Sequence, residues 1–346
     1  MNTEDFIIDR LSCETVQRLE TVQTLWSDYG DIVRYKLTGT SCPATVIAKS
    51  ISPPSVSSHP RGWNTLQSHN RKLRSYEVEA NWYRDWASQC PHGAPVPECF
   101  GILDSKPADL SSRRETDNTM ILLLCDLDAA GFMVRKSSLT IAQSKVCISW
   151  LAHFHAKFMQ DAPSSEWPQG LWSVGTYWHL ATRGDEFDAM ADSRLKRAAE
   201  QIDRVLNSCR FKTLVHGDAK VANFCFSPDG DRVAAVDFQY VGGGCGMKDL
   251  VYFIGSCLTE EQCCQHFEEL LDHYFLTLES ALHELNSAIK FENIEFEWRP
   301  LFQVAWADFQ RFILGWSPEH KKNNQFSRQI TNLAIESLSI HQSPDI

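Results

Sequence analysis

This chain of 346 residues has no surplus of positive charge: 33 Lys and Arg stand against 44 Asp and Glu, for a formal charge of −11. That balance speaks against a nucleic-acid partner, because neutralising phosphates takes a basic excess. It suits a cationic acceptor, and equally it suits plain solubility. There is no apolar run of the roughly eighteen residues that a membrane span needs, so no membrane role is expected. The opening MNTEDFIIDR is acidic where a secretion signal is basic and then apolar, which predicts a cytoplasmic protein. The twelve Cys are irregularly spaced and form no CxxC pair, and the adjacent Cys263-Cys264 does not suggest a zinc arrangement. They read as free thiols in a reducing compartment. Internal repeats, heptads and low-complexity tails are absent too, and the length allows two lobes or two modest domains.

What is present is concentrated in residues 213–239, TLVHGDAKVANFCFSPDGDRVAAVDFQ. Two apolar strand-like runs, Thr213-Leu214-Val215 and residues 233–236, are each followed within three residues by an Asp. Between them a short loop carries Asp218, Lys220 and Asn223. One Asp can orient a hydroxyl, while Asn and the second Asp supply the hard oxygens that magnesium takes alongside phosphate. Phosphoryl transfer asks mainly for such positioning and charge neutralisation.

His216-Gly217-Asp218-Ala219-Lys220-Val221-Ala222-Asn223 followed by Val236-Asp237-Phe238-Gln239 resembles the kinase-like phosphotransferases of the aminoglycoside phosphotransferase and choline kinase superfamily. The details lean towards its ecdysteroid-kinase-like branch. Protein kinases share the Asp-x4-Asn spacing but carry His-Arg-Asp and Asp-Phe-Gly; here Gly217 and Gln239 stand instead. Lys220, two residues after Asp218, lies where protein kinases also place a Lys. The resemblance implies an α+β, two-lobed protein-kinase-like fold with a small strand-rich N-lobe (residues 1–124), a hinge (125–131) and a large helical C-lobe (132–346). It also implies ATP and Mg2+, with Asn223 and Asp237 on the metal, Asp218 on the acceptor hydroxyl and Lys220 offsetting charge on the migrating phosphoryl group.

The remaining pieces follow in the resemblance's order. Residues 1–23 show helical spacing and predict a short helix with a lead-in; residues 24–50 predict a three-stranded meander. Ser27-Asp28-Tyr29-Gly30-Asp31 occupies the place of a phosphate loop, with Gly30 as its single glycine. Val46-Ile47-Ala48-Lys49 is similar to the kinase strand whose Lys meets the α- and β-phosphates. A Pro- and Ser-rich loop over residues 51–68 precedes a helix with two candidates for pairing with Lys49. Glu79 is the choice, because Glu79-Ala80-Asn81-Trp82-Tyr83 matches the family pattern, and Glu77 is the rival. Residues 119–125, TMILLLC, lead into the hinge, where backbone groups near Cys125 and Leu127 would pair with the adenine edge. Beyond it the chain reads as helices, with Asp249 as a cap or brace.

The resemblance implies a kinase acting on the hydroxyl of a small molecule. Relatives act on aminoglycosides, choline, methylthioribose or steroid alcohols, and fold does not choose among them. Eleven Trp could line an apolar or quaternary-ammonium pocket or serve as core. The alternative is a catalytically inactive kinase-like nucleotide-binding or interaction module, supported by the incomplete glycine loop and Gln239. A metal-dependent hydrolase on His153, His155 and His216 lacks suitable spacing, since residues two apart leave a helix on different faces. Oligomeric state is not legible.

Overall fold

β-Branched and alternating residues take the first third of the chain into a five-stranded antiparallel sheet. The computed structural model describes residues 1–25, 29–53, 66–104 and 119–340. Helix α1 (Thr3–Leu11) stops at Ser12, in the left-handed region, and β1 (Thr15–Thr24) follows. The helical reading of residues 15–23 is thereby corrected. Thr15, Val16, Thr21, Val22 and Thr24 favour extended backbone, and β1 is a largely exposed edge strand without clean alternation. Next come β2 (Gly30–Thr38), β3 (Thr45–Ile51), α2 (Leu66–Asn81), β4 (Cys99–Asp104) and β5 (Met120–Cys125), in sheet order β1-β2-β3-β5-β4. Residues 54–65 of the expected Pro- and Ser-rich loop, residues 105–118, and Ser27 and Asp28 of the expected phosphate loop lie outside the described residues.

Central strand β3 sends successive side chains to opposite faces. Val46 and Ala48 join Phe6, Ile7, Val33 and Leu123 in a core beneath α1. Lys49 and Ile51 point the other way, and Ile51 packs with Tyr76 of α2. Pairing of Lys49 with Ile32 on β2 and Leu122 on β5 fixes its register from both sides.

The remainder is mostly helical. α3 (Ile141–Lys157) starts at a capping box between Thr140 and Gln143. After it come β6 (Gln160–Asp161), α4 (Gly184–Ala189), α5 (Arg194–Asn207), β7 (Phe211–Val215), β8 (Phe224–Phe226), β9 (Val233–Ala235) and β10 (Gly242–Gly244). Four long helices close the chain: α6 (Met247–Cys257), α7 (Glu260–Glu284), α8 (Phe291–Trp316) and α9 (Gln325–Ile340). The strand-rich beginning and helical remainder are the α+β division the sequence predicts. All twelve cysteines are free, and Cys264 is the one that is exposed. Among the described residues no helix is long and apolar enough to cross a membrane.

Candidate active site

The loop between β7 and β8 is built from a turn that only glycine fits. Gly217 sits at φ +78°, and a Cβ there would lie 2.1 Å from the Tyr240 carbonyl oxygen. Beyond it, Lys220 N–H donates to Asp218 O at 2.7 Å, and a short turn over Val221–Asn223 leads into β8. β8 and β9 pair antiparallel, so Asp237, two residues past β9, returns beside Asp218. His216 ties the strands together: its Nε2 meets the Val236 carbonyl at 3.0 Å. Phe238 stacks on Trp82 at 4.5 Å and packs on His216 at 4.6 Å.

Asp249, in the first turn of α6, holds the loop from behind. It accepts the His216 N–H at 2.5 Å and the Gly217 N–H at 2.9 Å, and it faces His155 Nε2 at 3.2 Å. His155, fully buried, completes the chain with Tyr274 at 2.8 Å. His155 is thus a packing residue. The three histidines of the hydrolase constellation are engaged separately: His153 Nδ1 with the Ser149 carbonyl at 2.8 Å, His155 with Tyr274 and Asp249, and His216 Nε2 with the Val236 carbonyl.

The front of the loop carries the charges. Asp218 Oδ2 accepts from Lys220 Nζ at 2.8 Å and from Asn223 Nδ2 at 3.0 Å. Burial pushes the Asp218 carboxyl up against the pull of Lys220. Burial works against the Lys220 ammonium, but Asp218 and Asp237 outweigh it and raise the group overall. With its amide nitrogen spent on Asp218, Asn223 keeps its carbonyl oxygen as an acceptor.

Asp237 is a non-glycine residue at φ +69°, a conformation that costs energy and clusters at functional sites. Its side chain is partly exposed, yet Oδ1 is buried and accepts no hydrogen bond among the described residues. Among the described residues the nearest cation is Lys49 Nζ, 3.8 Å away. Burial works to raise the Asp237 carboxyl, but Lys49, Lys220, His216 and Lys72 together hold it low.

Lys49 reaches Glu79 Oε2 at 2.6 Å, with both groups buried. Glu77, on another face of α2, meets Arg74 instead, at 3.4 Å. Burial opposes the Lys49 charge, but Glu79 and Asp237 raise its ammonium overall, while burial pushes the Glu79 carboxyl up. The spacing 72, 76, 79 also puts Lys72 and Tyr76 on the inner face of α2. Lys72 and Lys49 lie over the same Tyr76 ring, at 5.1 and 5.7 Å. Burial pulls Lys72 down to about 8. Lys72 is absent from the sequence-based site; one helical turn and then another back from Glu79 was the available signal.

The other two expectations have structural occupations of their own. Gly30 opens β2 at φ +132°, where a Cβ would fall 1.9 Å from the Ser50 carbonyl oxygen, so strand pairing alone demands glycine there. At the expected hinge, Cys125 N–H is taken by Glu98 O at 2.8 Å, and Leu127 O accepts from Phe132 N–H at 2.8 Å. Asp126 anchors this corner to the sheet through Arg34 at 2.8 Å and Thr45 at 2.8 Å.

The comparisons with known proteins fall on this geometry unevenly. Residues 173–287 match the ecdysteroid kinase-like family. The match takes in Asp218, Lys220, Asn223 and Asp237 and stops short of Lys49 and Glu79. It agrees with the branch that the loop residues resemble. No curated protein matches the chain in sequence. Among solved structures, the chain is similar to an amicoumacin kinase in complex with AMP-PNP, Ca2+ and Ami, at 10% identity and TM-score 0.47, over 100% of this chain and 96% of that one. It is similar to macrolide 2′-phosphotransferase from Brachybacterium faecium at 13% identity and TM-score 0.46, over 99% and 97%. Choline kinase from Streptococcus pneumoniae gives 13% identity and TM-score 0.40, over 97% and 97%.

Proposed function

We propose that this protein is an ATP- and Mg2+-dependent phosphotransferase that moves the γ-phosphoryl group of ATP to a hydroxyl of a small molecule. The observation that carries this reading is the convergence of Lys49, Glu79, Asp218, Lys220, Asn223 and Asp237 from a sheet strand, a helix and two hairpin segments onto one charged cluster. Such a cluster with an unmet carboxylate oxygen suits a ligand that brings both a cation and phosphates.

Asn223 and Asp237 are the residues that would hold magnesium. Two oxygen donors are few for a closed cage, but magnesium retains waters and phosphate oxygens, and the orphaned Asp237 Oδ1 fits that need. When bound, the metal supplies neutralising charge at the β- and γ-phosphates. Lys49, oriented by Glu79, meets the α- and β-phosphates, and Lys72 adds a second cation on the same side. The adenine edge falls to the backbone near Cys125 and Leu127; with Cys125 N–H and Leu127 C=O already engaged, the Leu127 N–H is the donor we assign. The lobes would run over residues 1–124 and 132–346, with the hinge at 125–131.

Asp218 accepts the acceptor's hydroxyl hydrogen and takes the proton as the new O–P bond forms and the bond to the ADP leaving group breaks. Lys220, 2.8 Å from Asp218, offsets charge on the migrating group. A protein acceptor fits less well. Gly217 replaces the Arg that answers a phosphorylated activation segment in many protein kinases, and the short stretch after Gln239 pairs back onto β7 through β10. Incubating the protein with γ-labelled ATP, hydroxylated small molecules and general protein substrates should label the small-molecule fraction. Transfer to protein Ser or Thr that is lost in Asp218→Asn contradicts the small-molecule part. Magnesium-dependent ATP binding with no transfer to any acceptor favours the inactive module.

A further inference from the structure

Aromatic faces beside Asp218 are already occupied by the protein's own cations. Lys322, in the connection from α8 to α9, places Nζ 4.9 Å from the ring centroids of both Tyr252 on α6 and Phe309 on α8. The Arg183 guanidinium lies 5.4 Å over Tyr177 and 5.3 Å over Phe312, and is held there by Glu186 at 2.9 Å. Ring faces attract cations at about this range, so these four have little left to offer a second one. The Tyr177 and Tyr252 rings meet edge to face at 5.4 Å, and burial, helped by the nearby Asp218 charge, pushes both hydroxyls up, which sets this wall beside the loop's front.

Lys322 also lines a cavity of about 320 Å³ with Ser256, Trp306, Phe309 and Gln310, a size at the lower end for small ligands, which occupy roughly 300–1,000 Å³. Ser256 Oγ accepts the Val221 N–H at 2.9 Å, so the cavity wall adjoins the residue after Lys220. Its other charged residues are Lys321 and Glu260. Glu260 Oε1 accepts the Phe326 N–H at 3.0 Å. Among the described residues no carboxylate pairs with Lys322 Nζ. Burial pulls the ammonium down to about 8 against the pull of Cys257 and Asp218. The protein as a whole is acidic, but this wall is locally basic.

We propose that this cavity is the acceptor subsite, and that it takes an alcohol with an apolar body and a carboxylate, the carboxylate pairing with Lys322, while cationic alcohols are turned away. The inference rests on the phosphotransfer reading only in taking Asp218 as the group that meets the hydroxyl.

Three probes with one phenyl body separate the possibilities: 3-phenyllactate, 3-phenyl-1,2-propanediol and phenylalaninol, titrated calorimetrically without nucleotide. Phenyllactate should bind about tenfold or more tightly than the diol, as a charged hydrogen bond contributes, and phenylalaninol should bind most weakly. Lys322→Met keeps a chain of similar length over the two rings and should erase the order; Lys322→Arg should keep it. Circular dichroism checks that both variants fold. Equal or tighter binding of phenylalaninol, no binding of any probe at millimolar concentration, or an order unchanged in Lys322→Met overturns the proposal. Because binding is read without ATP, an ordered series with no phosphoryl transfer leaves the subsite standing and sinks the phosphotransfer reading. Efficient transfer to phenylalaninol does the reverse.

Discussion

The back and the front of the catalytic loop use the same residue type in opposite ways. Behind the loop, both oxygens of Asp249 are taken, by the His216 and Gly217 N–H groups, with His155 alongside. In front, Asp237 Oδ1 is buried with no hydrogen bond among the described residues, on a left-handed backbone, with lysines around it. A carboxylate spent on backbone donors is a brace, because its removal orphans those donors. One left without a hydrogen bond among cations offsets their charge, and its further use lies in what it can still bind.

The sharpest way to break this contrast is to remove each carboxylate in turn. Asp237→Ala should abolish turnover while the chain still folds, with circular dichroism as the check. Normal magnesium-dependent activity in that variant ends its assignment to the metal. Asp249→Ala should do the opposite first: two buried N–H groups lose their acceptor at about 1–3 kcal/mol each, so urea unfolding should show a loss of roughly 2–6 kcal/mol. Unchanged stability would mean that the back of the loop is not braced there.

A milder effect sharpens the front. Lys49→Ala should weaken ATP handling, and Glu79→Gln should do so less, since Glu79 acts through Lys49. Residues in contact couple by about 0.5–3 kcal/mol, so the double variant should lose less than the sum of the singles. Strict additivity breaks the idea that Glu79 serves Lys49.

The legible part of this arrangement lies where the chain is locally dense in signal. Residues 213–239 put a carboxylate, an amide and a second carboxylate at the ends of neighbouring strands, so spacing alone brings them to one edge. Lys49 was readable because the short apolar run Val46-Ile47-Ala48 is followed by one charge. Glu79 was preferred to Glu77 through the resemblance of Glu79-Ala80-Asn81-Trp82-Tyr83, and the structure puts Glu79 against Lys49 and Glu77 beside Arg74. β1 was lost because an exposed edge strand has no buried face to impose alternation. Lys322 was beyond reach for another reason. It belongs to the site only through packing of α6, α8 and the α8–α9 connection, and no local pattern encodes that meeting. The same holds for the Asp249–His155–Tyr274 chain, whose members come from three helices.

Asp218 carries the central claim, and Asp218→Asn tests it most directly. The substitution keeps the shape and the hydrogen-bonding reach while removing the base. A general-base contribution is typically on the order of 10²–10⁴-fold, so kcat for ATP-dependent phosphorylation of a small alcohol should fall by about that factor. ATP affinity should change little, because the group faces the acceptor. A variant that transfers phosphoryl groups at the wild-type rate, or that loses ATP binding together with turnover, would contradict the account.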